Sequence, residues 1–189
     1  RASPLERSIV RDRATHEDFT ARIILGSSLT ELIDRLYRPI GVTAEHIVGL
    51  IAGRAPSVDF EFHEAGLDWT PLLRAIVSGE LDADRMDYLL RDSFYTGVNY
   101  GRFDLEWILL NVQAIERSGQ MVMALSKAAV FAFEDFLLSR YHMFLSVYYH
   151  HTSVSFDWML QRYYEEASGE FEIPADPEAF LRCDDVALH

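Results

Sequence analysis

The chain has 189 residues, of which 49% are hydrophobic and 25% charged, a composition typical of one globular domain or a large piece of one. Its single cysteine, Cys183, excludes a disulfide scaffold and fits a reducing compartment, so we expect a cytoplasmic protein. The formal net charge of −13, from 17 basic and 30 acidic residues, argues against binding to duplex nucleic acid, which requires a basic surface. No apolar run approaches the roughly 20 residues of a membrane-spanning helix, so no membrane association is expected.

Helices are predicted through most of the first 110 residues, each from an N-cap residue followed by apolar residues at helical spacing. They run from about His16 to Tyr37, from Thr43 to near Gly53, from Thr70 to Ser78, from Ala83 to Tyr95 and from Leu105 to about Leu110. Residues 54–69 have the composition of a loop or a surface insertion. The N-terminal half is therefore expected to be helical, with one irregular segment.

The next part of the chain contains the only strands that the pattern predicts. They lie near 112–115 and 121–125 and are joined through a Ser-Gly turn, which is typical of a hairpin. From Lys127 the chain has no Gly or Pro until Gly169, which predicts one long helix or two with a bend. Its many aromatic residues are expected to be mostly core and partly a subunit contact. The predicted fold class is all-α, mainly helical, with a small β-hairpin near 112–125.

Residues 81–92 carry the most informative pattern. Asp84, Tyr88 and Asp92 are spaced i, i+4, i+8 and line one stripe of a helix, which Arg85 flanks and Tyr95 continues. Met86, Leu89, Leu90 and Phe94 fall on the opposite, apolar side. An early carboxylate can ligate a metal, an arginine can meet phosphate oxygens, and a tyrosine with a second carboxylate can hold a sugar. The same spacing is also typical of a solvated helix face with weak ion pairs, and both interpretations stay open on the pattern alone.

The segment 84–92, followed by Gly97, resembles the final metal-binding motif of HD-domain phosphohydrolases. The resemblance is closest to the dNTP triphosphohydrolase branch, and it implies an all-α domain with minor β structure. It implies that Asp84 is the last ligand of a divalent metal ion, with Mg, Mn, Fe and Zn all open. Arg85 would contact the triphosphate, while Tyr88 and Asp92 would contact the deoxyribose and its 3′-hydroxyl.

Two further segments resemble the same family, so the resemblance covers residues 16 to about 165. The segment that begins with His16 resembles one whose histidine assists catalysis, which implies a proton donor at His16. A later helix has Arg140 where the family holds the terminal phosphate, and Tyr148 where a tyrosine packs against the sugar at C2′. Phe144 departs from the pattern of the family's vertebrate member, which has a histidine that contacts the phosphates at this position.

The family's remaining metal ligands form a His…His-Asp motif, and the chain contains no His-Asp dipeptide. We therefore expect residues 1–170 to be the C-terminal part of an HD hydrolase domain and 171–189 to begin a following segment. The other ligands would precede Arg1, and this chain alone is expected to be inactive. A degenerate HD protein that has lost its metal is the other explanation.

The predicted function is metal-dependent hydrolysis of a dNTP to deoxynucleoside and triphosphate. The expected partners are a nucleoside triphosphate substrate and further copies of the chain, because the family forms homodimers and homotetramers. Two alternatives remain: another HD-domain phosphohydrolase or phosphodiesterase, and a non-catalytic nucleotide-binding HD module.

Overall fold

The computed structural model describes residues 15–53, 60–167 and 174–183. The described residues form two compact units, one within Arg1–Arg74 and Ile173–His189 and the other within Ala75–Glu172. The predicted division near residue 170 into an HD hydrolase domain and a following segment stays a prediction. Among the described residues, no helix combines the length and the apolar character needed to cross a bilayer.

The described residues are mainly helical and include two short antiparallel hairpins, which confirms the predicted fold class. In chain order the elements are α1 (His16–Gly26), α2 (Ser28–Tyr37), a 3-10 turn (Arg38–Ile40), α3 (Ala44–Ala52), β1 (His63–Glu64), β2 (Leu67–Asp68), α4 (Thr70–Ser78), α5 (Ala83–Thr96), α6 (Leu105–Asn111), β3 (Val112–Arg117), β4 (Gln120–Leu125), a 3-10 turn (Lys127–Ala129), α7 (Val130–Met143), a π-helical segment (Phe144–Tyr148), α8 (His151–Glu166) and α9 (Pro177–Phe180).

The predicted single helix from His16 to Tyr37 is wrong, because the chain leaves the helix at Ser27. This residue is extended, with φ −128° and ψ 179°. Its side chain accepts from the Leu29 amide at 3.2 Å and donates to the Ile23 carbonyl at 2.7 Å. Serine competes with helical backbone bonds in this way, and here it ends α1 and caps α2.

The loop expected over residues 54–69 is partly wrong, because β1 and β2 form a hairpin within it. His63 pairs with Asp68 and Glu64 with Leu67. Both turn residues, Ala65 and Gly66, have positive φ (53° and 81°), as a two-residue turn of the primed type requires. Residues 54–59 lie outside the described residues.

The predicted hairpin near 112–125 is confirmed as β3 and β4. The register runs from Val112 opposite Leu125 to Arg117 opposite Gln120. Ser118 and Gly119 at the turn have φ of 55° and 80°, again the primed turn geometry that matches the twist of paired strands.

The stretch without Gly or Pro after Lys127 forms two helices with a break between them. This is one of the two arrangements that the sequence predicts. Between α7 and α8 the backbone widens into a π-helical segment, in which the Tyr149 amide donates to the Phe144 carbonyl at 2.8 Å. The expectation that the aromatic residues here are mostly core is wrong, since Phe131, Phe156 and Trp158 are largely exposed.

A buried cluster holds α5, α6 and α7 together in the second unit. Its members are apolar side chains with less than a tenth of their surface exposed: Leu81, Leu89, Ile108, Phe136 and Met143. The first unit has its own cluster, made of Ala21, Ile24, Ile33, Ala44 and Val48. The core of the second unit fixes α5 against α7 and thereby positions the residues described next.

Candidate functional site

Helix α5 begins at a buried cap and presents its polar residues from there. The Asp82 carboxylate accepts a hydrogen bond from the Arg85 amide at 2.7 Å, which satisfies a free amide of the first turn. The helix ends at Gly97, whose φ of 73° closes it in the left-handed conformation. Leu89 and Ser93 turn into the core, so the stripe that contains Tyr88 and Asp92 flanks the buried face.

Two predicted phosphate-binding arginines meet at one oxygen atom. Oε2 of Glu80 accepts from Nη1 of Arg85 at 2.8 Å and from Nη1 of Arg140 at 3.2 Å. Arg85 also lies 3.5 Å from the Asp82 carboxylate, and the Arg140 guanidinium lies 5.8 Å from the centre of the Phe144 ring. We call Glu80, Arg85 and Arg140 the arginine end of the site.

The predicted sugar-binding residues form a second cluster. The Tyr148 hydroxyl donates to Oδ2 of Asp92 at 2.6 Å, and the Tyr148 and Tyr88 rings meet edge to face with centres 6.1 Å apart. Burial, and then the bond to Asp92, raise the pKa of the Tyr148 hydroxyl above its ordinary value, so the group stays a donor. We call Tyr88, Asp92 and Tyr148 the tyrosine end.

The Phe144 ring joins the two ends. It lies beside the Arg140 guanidinium and also meets the Tyr148 ring with centres 5.2 Å apart. Phe144 and Tyr148 are the first and last residues of the π-helical segment. Such segments are rare in proteins, and those that exist are often found at functional sites. The extra residue in the turn changes which side chains share a face.

The remaining predicted site residues are Asp84 and His16. Asp84 is exposed on the first turn of α5. His16 belongs to the first unit, where its side chain is 90% exposed and its Nε2 lies 3.0 Å from the Glu17 carboxylate. The catalytic role of His16 and the metal-binding role of Asp84 stay predictions.

The predicted stripe on α5 is wrong at its C-terminal end. Tyr95 does not join Tyr88 and Asp92 but is exposed and packs against the Phe94 ring, with centres 5.3 Å apart. Phe94, expected on the buried side, is exposed as well. With Met86 and other residues of α5 and α6, these two rings line an open groove of about 620 Å³.

A divalent metal ion, which the resemblance implies, requires more ligands than the described residues bring together. No group of three or more His, Cys, Asp or Glu side chains suited to a metal ion occurs within 15–53, 60–167 and 174–183. Asp84 supplies one carboxylate, and one carboxylate does not complete a coordination sphere. These residues therefore do not fit a metal by themselves.

Sequence reasoning missed Glu80 and the π-helical segment. Glu80 lies in the short link before the Asp82 cap, and its bond to Arg140 spans 60 positions, which no local spacing rule anticipates. The π-helical segment begins after Met143, where no Gly or Pro in the sequence marks a change of helix geometry. The one available signal was Glu80 itself, an acidic residue close in sequence to Arg85.

Comparisons with known proteins relate the chain to proteins with HD domains. Residues 103–189 match a family model described as an HD associated region. An uncharacterized protein of Methanocaldococcus jannaschii is 39% identical over 113 residues, which cover 60% of this chain and 25% of that protein. The uncharacterized protein YwfO of Bacillus subtilis is 33% identical over 147 residues, which cover 78% of this chain and 30% of that protein.

A solved structure has a similar fold. The crystal structure of a hypothetical protein from Aquifex aeolicus matches with a TM-score of 0.69 and 28% identity, over 97% of this chain and 45% of that one. The chain thus spans about a quarter to a third of the length of these curated relatives and less than half of the solved structure. Arg140 and Tyr148 lie within the HD associated region, whereas Glu80, Arg85, Tyr88 and Asp92 precede it.

Proposed function

We propose that the chain carries substrate-binding residues of an HD-related phosphohydrolase that splits a dNTP into deoxynucleoside and triphosphate. The observation that carries this proposal is the convergence of two arginines on one oxygen atom, joined through the Phe144 ring to a carboxylate held by a tyrosine. An anion-binding end and a hydroxyl-binding end on one surface match the two chemical parts of a nucleotide.

The arginine end suits a triphosphate. A guanidinium group stays charged at any physiological pH and offers several N–H donors in a planar fork, which matches phosphate oxygens. Arg85 and Arg140 already point at a shared oxygen of Glu80, so a phosphate oxygen at that place would receive two charge-assisted hydrogen bonds.

The tyrosine end suits a deoxyribose. Oδ2 of Asp92 is engaged by the Tyr148 hydroxyl, which fixes the carboxylate and leaves Oδ1 with no hydrogen bond from the described residues. We propose that Oδ1 accepts from the 3′-hydroxyl and that the Tyr148 ring packs against C2′. A 2′-hydroxyl would then clash with the ring, which would exclude ribonucleotides.

Bond cleavage requires more than these two ends. We propose His16 as the proton donor to the leaving 5′-oxygen and Asp84 as one ligand of a metal whose other ligands lie outside the described residues. The residues of the arginine and tyrosine ends then bind and orient the substrate. Assembly as a homodimer or homotetramer and a cytoplasmic location remain part of the same proposal.

A substrate panel tests this function on full-length protein that contains the chain, with divalent metal and any nucleotide activator supplied. We expect dATP to be hydrolysed in preference to ATP and to 2′,3′-dideoxy-ATP. Tyr148→Ala should relax the first preference and Asp92→Asn the second, because a site built to pair a hydroxyl rejects an analogue that lacks it. Tyr163→Ala, which truncates an exposed ring on α8, is the matched control.

The alternatives give different results in the same panel. Equal rates on ATP and dATP would contradict a dNTP triphosphohydrolase and leave another HD-related phosphohydrolase. Binding of dATP without hydrolysis under any metal would instead support a non-catalytic nucleotide-binding module.

A further inference from the structure

Glu80 occupies the place that a phosphate oxygen would take. A single atom, Oε2, accepts from both guanidinium groups, at 2.8 Å from Arg85 and 3.2 Å from Arg140. A non-bridging phosphate oxygen between two arginines makes the same pair of contacts. The carboxylate and a phosphate chain therefore cannot both use these donors at once.

The two arginines are held by other groups as well, so Glu80 is not needed to position them. The carboxylate of Asp82, which is buried as the cap of α5, lies 3.5 Å from Nε of Arg85. The Arg140 guanidinium lies against the Phe144 ring. Removal of Glu80 would leave each guanidinium group with its own neighbour.

The Glu80 side chain is much more exposed to solvent than the side chains of its two arginine partners. The Glu80 side chain is 72% exposed, whereas those of Arg85 and Arg140 are 24% and 29% exposed. Exposed ion pairs are weak because water screens the charges and two side chains lose freedom. Glu80 lies in the short link between α4 and α5, outside any helix, so a change of side-chain rotamer alone would release the arginines.

We infer that Glu80 is an internal competitor for phosphate, which occupies the Arg85–Arg140 pair until a phosphate chain displaces it. The inference rests on the proposed function only in taking phosphate as the ligand of the two arginines. A polyphosphate displaces Glu80 because it offers several oxygens and more negative charge than one carboxylate. Glu80 thereby lowers the affinity for every phosphate ligand and keeps the pair closed to weakly charged anions at low concentration.

Calorimetric titration of the 189-residue chain with inorganic tripolyphosphate tests this inference at fixed ionic strength. Glu80→Gln should tighten binding by about threefold to tenfold, since the variant removes a competitor that is itself weakly held. Glu116→Gln makes the same change of net charge at an exposed position on β3 and should leave the affinity unchanged. In the Arg140→Ala background, Glu80→Gln should lose most of its gain, because the shared donor pair is gone.

Three results would overturn the inference. Unchanged or weaker binding by Glu80→Gln would mean that Glu80 supports binding. An equal gain with Glu116→Gln would mean that net charge alone causes the effect. No binding of tripolyphosphate by any variant would mean that phosphate is not a ligand of the two arginines. Hydrolysis of dNTPs is measured separately, so the two proposals fail separately. A Glu80→Gln gain in a protein that hydrolyses no dNTP supports only the competitor, and hydrolysis with no gain supports only the enzyme.

Discussion

The two ends of the candidate site are built on different physical principles. The arginine end is a set of ion pairs around an exposed carboxylate, and its contacts exchange readily with water, salt or another anion. The tyrosine end is a half-buried hydrogen bond between Tyr148 and Asp92, whose geometry is fixed before any ligand arrives. In the proposed function, the arginine end binds the charged triphosphate and the tyrosine end recognises the shape of the sugar.

The core beneath the site explains this difference. Tyr88 and Tyr148 pack directly against the buried cluster that joins α5 to α7. Arg85 lies beside the Asp82 carboxylate, and Arg140 lies beside the Phe144 ring. A change in the core should therefore disturb the tyrosine end first.

Leu89→Ala is expected to have the largest effect. Leu89 is fully buried next to Tyr88, and its truncation leaves a cavity and removes apolar contacts, which costs about 2–5 kcal/mol in the free energy of unfolding. Denaturant unfolding followed by circular dichroism measures the loss. Leu110→Ala on α6 changes an exposed leucine and should cost less than about 0.5 kcal/mol.

The same pair of variants tests the link between core and site. Tyrosine fluorescence or NMR should show that Leu89→Ala perturbs the tyrosine end while tripolyphosphate binding at the arginine end persists in the folded fraction. Equal loss at both ends would mean that they share one support, contrary to the comparison.

Local sequence signals predicted much of the fold, since they act over a few residues. Thr15, Asp82 and Asp104 cap helices where their side chains predict it, and the Ser118-Gly119 turn sets the hairpin. The break at Ser27 was missed because apolar spacing continued through it. The Ser27 side chain bonds to the backbone on both sides and thereby ends the helix.

The site was predicted only in part, because its contacts join residues far apart in the chain. Spacing on α5 placed Tyr88 and Asp92 on one stripe, and Tyr148 meets both. The predicted stripe ends before Tyr95, whose ring is largely exposed. No spacing rule could show that Glu80 reaches Arg140, since that contact depends on how α7 packs against α5.

Arg140→Ala is expected to have the next largest effect, on binding instead of folding. Loss of a charge-assisted contact should weaken tripolyphosphate binding by about 2–3 kcal/mol. An ion pair to the Glu80 side chain, which is 72% exposed, contributes too little to change the melting temperature much. Calorimetric titration and thermal unfolding measure the two quantities. Arg91→Ala removes an exposed arginine that forms an ion pair with Asp87, and it should change neither quantity by much.

The opposite result would reverse the interpretation of the arginine end. If Arg140→Ala unfolds the protein and its folded fraction binds tripolyphosphate normally, Arg140 is a structural ion-pair residue. The arginine end would then resemble the tyrosine end in being part of the scaffold.

Tyr148→Phe is expected to have the smallest effect of the three, because it removes one hydroxyl and keeps the ring. Asp92 then loses its donor, and a hydrogen bond to a charged group is worth roughly 1.5 kcal/mol or somewhat more. Chemical denaturation at neutral pH should show this loss in the free energy of unfolding. Tyr149→Phe, which removes the hydroxyl of an exposed neighbour, should be nearly neutral, and an equal cost for both would contradict a special bond at Tyr148.

The pH dependence of stability sharpens the same prediction. Burial and the Asp92 carboxylate raise the pKa of Tyr148 in the folded chain above its ordinary value of 10.0, because both disfavour the phenolate. Below pH 10 the group is protonated in both states, and its contribution to stability is fully present. Above pH 10 the unfolded chain loses this proton while the folded chain keeps it, so the free energy of unfolding falls as pH rises. The wild-type chain should therefore lose stability above pH 10 more steeply than Tyr148→Phe, whereas Tyr149→Phe should follow the wild type. Parallel stability curves for the wild type and both variants would mean that Tyr148 ionises like an exposed tyrosine. The geometry of the tyrosine end would then not be fixed before a ligand binds.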